Sequence, residues 1–126
     1  MRKILNLMID YYNLKGIDFM GYKVNRNNPY TYHHIIKRCL GGNESFENGA
    51  ILTKISHQYL HIIESRDLII YEYINNIFKQ ITQQGYGPTK NQLLAIDYVL
   101  KIFEEQHMQD KSAKGKILIR HDFLKR

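Results

Sequence analysis

Six histidines occur in the 126 residues, and four of them, His33, His34, His57 and His61, fall in one short window. Imidazole suits two kinds of chemistry near neutral pH. The neutral ring is a ligand for divalent transition metals, and with an ordinary pKa of about 6.5 it can take a proton from water. Placement divides the four rings between these tasks. Successive side chains of a strand point to opposite faces, so His33 and His34 on an extended segment present one imidazole to each side. One can ligate while the other acts on a neighbouring group. His57 and His61 stand four apart, which on a helix puts both on one face, one turn from each other. That spacing suits two rings closing on one ion. Each piece alone is common on protein surfaces. The ordered combination is more specific: Tyr32-His33-His34-Ile35-Ile36, then Gly41-Gly42, then Asn48, then His57 and His61.

Holding these residues takes a strand, a loop, a return strand and a helix. The spacing predicts a strand over 30–36, a polar loop opened by Gly41-Gly42 and running through Asn48, and a short return strand over 50–52. Thr53 is a good N-cap, its hydroxyl able to accept from a free backbone N–H of the first turn, so a helix is expected over 54–64. Before this unit, Ile4, Leu5, Met8, Ile9 and Tyr12 recur at helical spacing and predict a short helix that ends ahead of Gly16. Residues 19–24 are rich in aromatic and β-branched types and read as a strand, followed by an Arg26-Asn27-Asn28-Pro29 turn. After the unit, Ile70, Ile74, Ile77, Phe78 and Ile81 form one stripe of a helix over 66–84, either separate from the preceding helix or continuous with it, with Gly85 as its stop. Thr89 and Gln92 make a capping box that opens a further helix with Leu93, Ile96, Leu100 and Phe103 along one face. Residues 111–126 carry a weak signal that fits a strand, an arm or a tail. No internal repeat is visible. The expected fold is α+β, a small ββα unit around a single cation extended by two or three helices.

At this level the sequence resembles the HNH endonuclease family, also called ββα-metal or His-Me finger nucleases. The likeness is to its H-H, G-G, N, H-x-x-x-H subgroup, which includes colicin-type DNases and small phage-borne nucleases, and it covers roughly residues 30 to 64. The resemblance implies that His34 is the general base, that His33, His57 and His61 hold a metal ion, and that Asn48 pins the loop that orients His34. It also implies DNA as substrate and products with a 5′-phosphate and a 3′-hydroxyl. Two positions depart from the family pattern. Lys37 stands where a proline is frequent, and Thr31 stands where a carboxylate often supports the metal from its outer shell. Three neutral imidazoles leave coordination positions open for phosphate, and they favour Zn²⁺, Mn²⁺ or Ni²⁺ over Mg²⁺, which prefers oxygen ligands. Lys37, Arg38 and Lys54 border the motif and are candidates for binding phosphates on either side of the cut. The competing readings are a non-catalytic DNA- or protein-binding module on the same scaffold and a purely structural zinc. The second needs a fourth protein ligand, for which only Cys39 or a distant histidine is on offer.

Composition sets the outer limits. One ordinary domain accommodates the whole length, and 44% apolar with 24% charged residues is the mix of a globular chain with one core. The net charge of +6 is unevenly spread: residues 1–30 carry an excess of +3, residues 67–110 come to −3, and residues 111–126 come to +5. Basic ends of this kind collect phosphate contacts on a polyanion such as DNA. No apolar run is long enough to span a bilayer, which predicts no membrane partner. Asp10 interrupts the apolar start and no small-residue cleavage site follows, so a folded start is expected in place of a signal peptide. Cys39 has no intramolecular partner and no CxxC pair exists, which fits a reducing cytoplasm and excludes a zinc knuckle. A small buried residue is expected at Cys39, surface positions at His107 and His121, and core or rim positions at most of the ten tyrosines.

Overall fold

The protein is described here from a computed structural model over residues 3–107. Among these residues the fold is mixed α+β, with four α-helices and a two-stranded antiparallel sheet in the order α1 (Lys3–Tyr12), β1 (Tyr30–His34), β2 (Gly49–Thr53), α2 (Lys54–Arg66), α3 (Leu68–Gln84) and α4 (Lys90–His107). The basic segment 111–126 and His121 lie outside the described residues. No helix among the described residues is long and apolar enough to cross a membrane.

The helices follow their apolar stripes and their caps. Leu5, Met8 and Tyr12 are the buried positions of α1. The Thr53 hydroxyl accepts from Ser56 N and starts α2. Asp67 settles whether α2 and α3 are continuous. Its backbone leaves helical geometry, and its carboxylate accepts from Ile70 N at 3.1 Å to start α3 as a separate helix. Gly85, at φ 80°, ends α3 in the left-handed conformation that glycine adopts without a Cβ clash. Thr89 and Gln92 exchange the two bonds of a capping box, Thr89 N to Gln92 Oε1 at 2.9 Å and Gln92 N to Thr89 Oγ1 at 3.2 Å.

Two expectations about strands are corrected. Residues 19–24 form no strand and contribute only an isolated bridge between Ile17 and Lys23. Their organiser is Asp18, whose carboxylate is fully buried. One oxygen accepts from Met20 N and Tyr22 N at 2.8 and 3.0 Å, and the other accepts from Thr53 N at 2.7 Å and from the Ser56 hydroxyl. The first pair closes a tight turn, and the second fastens it to the junction of β2 and α2. Phe19, Met20 and Tyr22 are all buried by that turn, so the segment lacks the alternation of a sheet with one solvated face. Strand β1 also ends at His34 and not at residue 36. Beyond it the Asn48 side chain takes over the role of a ladder partner, accepting from Ile36 N at 2.7 Å.

Strands β1 and β2 pair with His33 opposite Ala50 and His34 opposite Gly49. Helix α2 leaves directly from β2, and α3 packs across α2 and the sheet, with α4 against α3 and its Phe103 beside Tyr59 of α2. Phe19, Tyr22, Tyr59, Phe78 and Phe103 fill the core between them. This packing places one face of β1 against α2 and α3, which is where His33 points.

Candidate metal and nucleic-acid site

An open cleft of about 380 Å³ is lined by His33, His34, His57 and His61 together with Tyr32, Lys37, Arg38, Glu64 and Tyr71. The four histidines of the sequence motif therefore meet in one place. Alternation along β1 separates the first two as expected. The His33 ring is buried and stands 5.4 Å, centroid to centroid, from His57, at a near-perpendicular angle. The His34 ring packs edge-on against Tyr32 at 4.9 Å, its neighbour two residues back on the same face. His57 and His61 are stacked at 4.9 Å, as residues four apart on one helix can be.

Partners of the rings indicate which nitrogens carry hydrogen. Thr31 has a single hydroxyl proton, and it goes to the Leu52 carbonyl at 2.8 Å. The same oxygen lies 2.8 Å from His57 Nδ1, so that nitrogen carries the hydrogen and donates to it. Thr31 thus does for His57 what a carboxylate or carbonyl commonly does behind a metal-binding imidazole. His61 Nδ1 faces Glu64 Oε1 at 3.4 Å. His33 Nε2 lies 2.9 Å from the Asn75 side-chain oxygen. Burial pushes the His33 imidazole down to about 4, against the pull of Asn75, so it is neutral at physiological pH. A neutral ring with one nitrogen engaged from behind, as at His33, is the chemical type that binds Zn²⁺ or a related ion. Among the described residues no three His, Cys, Asp or Glu side chains already converge in ion-holding geometry.

The loop that carries the chain from β1 to β2 is clamped by Asn48, which is buried. Its amide accepts from Ile36 N and donates to Ile36 O at 3.0 Å and to Asn43 O at 2.8 Å. Tyr32 adds a second clamp, donating to Ser45 O at 2.8 Å and accepting from Ser45 N at 3.0 Å. Gly42 is required by this arrangement, because a Cβ there meets Ile36 O at 1.8 Å and Asn48 Nδ2 at 2.8 Å. Gly42→Ala is therefore expected to pry the Asn48 clamp open and to destabilise the fold by about 1–3 kcal/mol, the range for overpacking a tight site. Urea unfolding midpoints of the two proteins measure this, and an unchanged midpoint shows that the loop yields freely.

Among the basic candidates, Lys37 and Arg38 border the cleft, and Lys54 does not. Lys37 is ion-paired with Glu64, which raises the lysine pKa. Arg38 is exposed on a short 3₁₀ turn, and Lys54 is exposed at the head of α2. Cys39 shares that turn and is exposed, contrary to the expected buried position, because three residues of 3₁₀ turn here bury no side chain. His107 is half-buried and lies 3.1 Å from the Asp67 carboxylate.

Glu64, Tyr71 and Asn75 were not singled out by the sequence. Glu64 lies three residues past His61, on the same helical face, and Asn75 is a carboxamide within the apolar stripe of α3. Both are signals of position that spacing carries. Comparisons with protein-family models, with curated proteins and with solved structures find no match for this chain.

Proposed function

We propose that the protein is a metal-dependent endonuclease of the HNH type that hydrolyses phosphodiester bonds in DNA. The observation that supports this most is the meeting of His33, His57 and His61 on one wall of a cleft whose other histidine, His34, projects from the opposite face of β1. His33, His57 and His61 are the residues to hold one divalent ion, with Zn²⁺, Mn²⁺ or Ni²⁺ favoured and Mg²⁺ admissible. Such an ion, when bound, stabilises charge on a phosphate oxygen and on the departing oxygen. His34 takes the proton from the water whose oxygen attacks phosphorus, the P–O3′ bond breaks, and the 3′-oxygen is protonated from solvent. Asn48 and Tyr32 hold the loop and the ring against which His34 rests. Arg38 is placed to meet a phosphate beside the cut, and Lys37 can do so on release from Glu64.

Plasmid nicking tests the reading. Relaxed circles are expected with Zn²⁺, Mn²⁺ or Ni²⁺ and none in excess EDTA. Cutting that persists in EDTA, or that no divalent ion elicits, overturns it. DNA binding without cutting under every condition gives the non-catalytic module instead.

A further inference from the structure

We propose that Asn75, on α3 and outside the β1–β2–α2 unit, is a positioning residue that fixes the tautomer of His33 for metal binding. The proposal rests on the reading of the cleft as a metal site. His33 is walled in by His57, by Tyr71 at 6.4 Å and by Phe78 at 5.9 Å, centroid to centroid, each ring near-perpendicular to it. A ring N–H enclosed in this way is costly unless it finds an acceptor. Asn75 Oδ1, 2.9 Å from Nε2, is that acceptor. A carboxamide oxygen only accepts, so Nε2 carries the hydrogen and Nδ1 keeps the lone pair.

Packing alone gives no reason for an asparagine here. The other buried side chains of α3 are Ile70, Tyr71, Ile74, Ile77, Phe78 and Ile81. Asparagine is a poorer helix former than leucine, and its amide must be desolvated on burial. A leucine suits the helix and the core better but has no acceptor for His33. Without one, the favourable response of the ring is to move its hydrogen to Nδ1, which removes the lone pair needed for a ligand. Helix α3 therefore does more than cover the sheet: it selects which nitrogen of His33 is available.

Nitrogen-15 NMR of the imidazoles in the metal-free full chain reads the tautomer directly, and calorimetric titration with Zn²⁺ reads the consequence. The wild-type His33 is expected as the Nε2–H form. Asn75→Leu is expected to lose that form and to bind Zn²⁺ about 10–100-fold more weakly, the usual effect of removing a group behind a metal ligand. Asn75→Asp retains an acceptor and is expected to keep both the tautomer and the affinity, and it carries the test should the leucine variant fail to fold. A wild-type His33 protonated at Nδ1, or an Asn75→Leu protein with unaltered Zn²⁺ affinity, overturns the proposal. If wild type binds no Zn²⁺ while the tautomer still follows residue 75, Asn75 does position His33 and it is the metal reading that fails.

Discussion

His34→Ala is expected to lower the nicking rate about 10²- to 10⁴-fold, the range for loss of a general base, while leaving metal affinity and fold intact. The separation follows from which face of β1 each ring occupies. His34 rests on Tyr32, whereas His33 faces His57, Tyr71 and Phe78. The supports of the three proposed ligands are Asn75, Thr31 and Glu64. The loop clamps made by Asn48 and Tyr32 also survive the truncation, because they engage backbone atoms of residues 36, 43 and 45. His34 is only partly buried, so trimming it to Ala leaves no closed cavity. Plasmid nicking under single-turnover conditions and calorimetric Zn²⁺ titration measure the two halves. A variant that cuts at the wild-type rate removes His34 from the mechanism, and a variant that loses the ion shows it to be a ligand.

What the sequence disclosed and what it hid divide along the range of the interactions. Helices α2, α3 and α4 were legible because their apolar stripes repeat within one turn and their caps are local, as at Thr53, Gly85 and the Thr89–Gln92 pair. The histidine cluster was legible for the same reason: strand alternation and an i, i+4 pair are short-range rules. The turn at residues 19–24 was not. Its aromatic and β-branched composition mimics a strand, and the competing influence is a carboxylate at Asp18 whose bonds reach Thr53, 35 residues on, and Ser56, 38 residues on. Nothing local announces that connection. Asn75 lies 42 residues from His33, so its role depends on how α3 is laid over the sheet. The stacking of His57 on His61 is a matter of side-chain torsion, which backbone periodicity does not specify.

His57→Ala is expected to lose metal and activity together. Its ring is the middle one of the three, 5.4 Å from His33 and 4.9 Å from His61, so its removal separates the remaining pair. It is also the ligand candidate with the firmest support, since the Thr31 hydroxyl is held in place by the Leu52 carbonyl and in turn holds Nδ1. Altering a residue behind a ligand typically costs 10–100-fold in affinity, so deletion of the ligand itself is expected to cost more than about 100-fold. The fold should tolerate the change, because the ring lies on the cleft wall and the buried residues of α2 are Ser56, Tyr59, Leu60 and Ile63. Thr31→Val provides the graded comparison. It keeps the shape of the side chain and removes the hydroxyl, so His57 stays in place without its nitrogen being held, and an affinity loss of about 10–100-fold is expected. Zn²⁺ titration and nicking rate should fall in the order wild type, Thr31→Val, His57→Ala. If His57→Ala retains the ion, the site is not built around the middle ring, and His33 and His61 must reach the metal without it. If the ion is lost while nicking continues at the wild-type rate, the bound metal is structural and the cleavage chemistry lies with other groups.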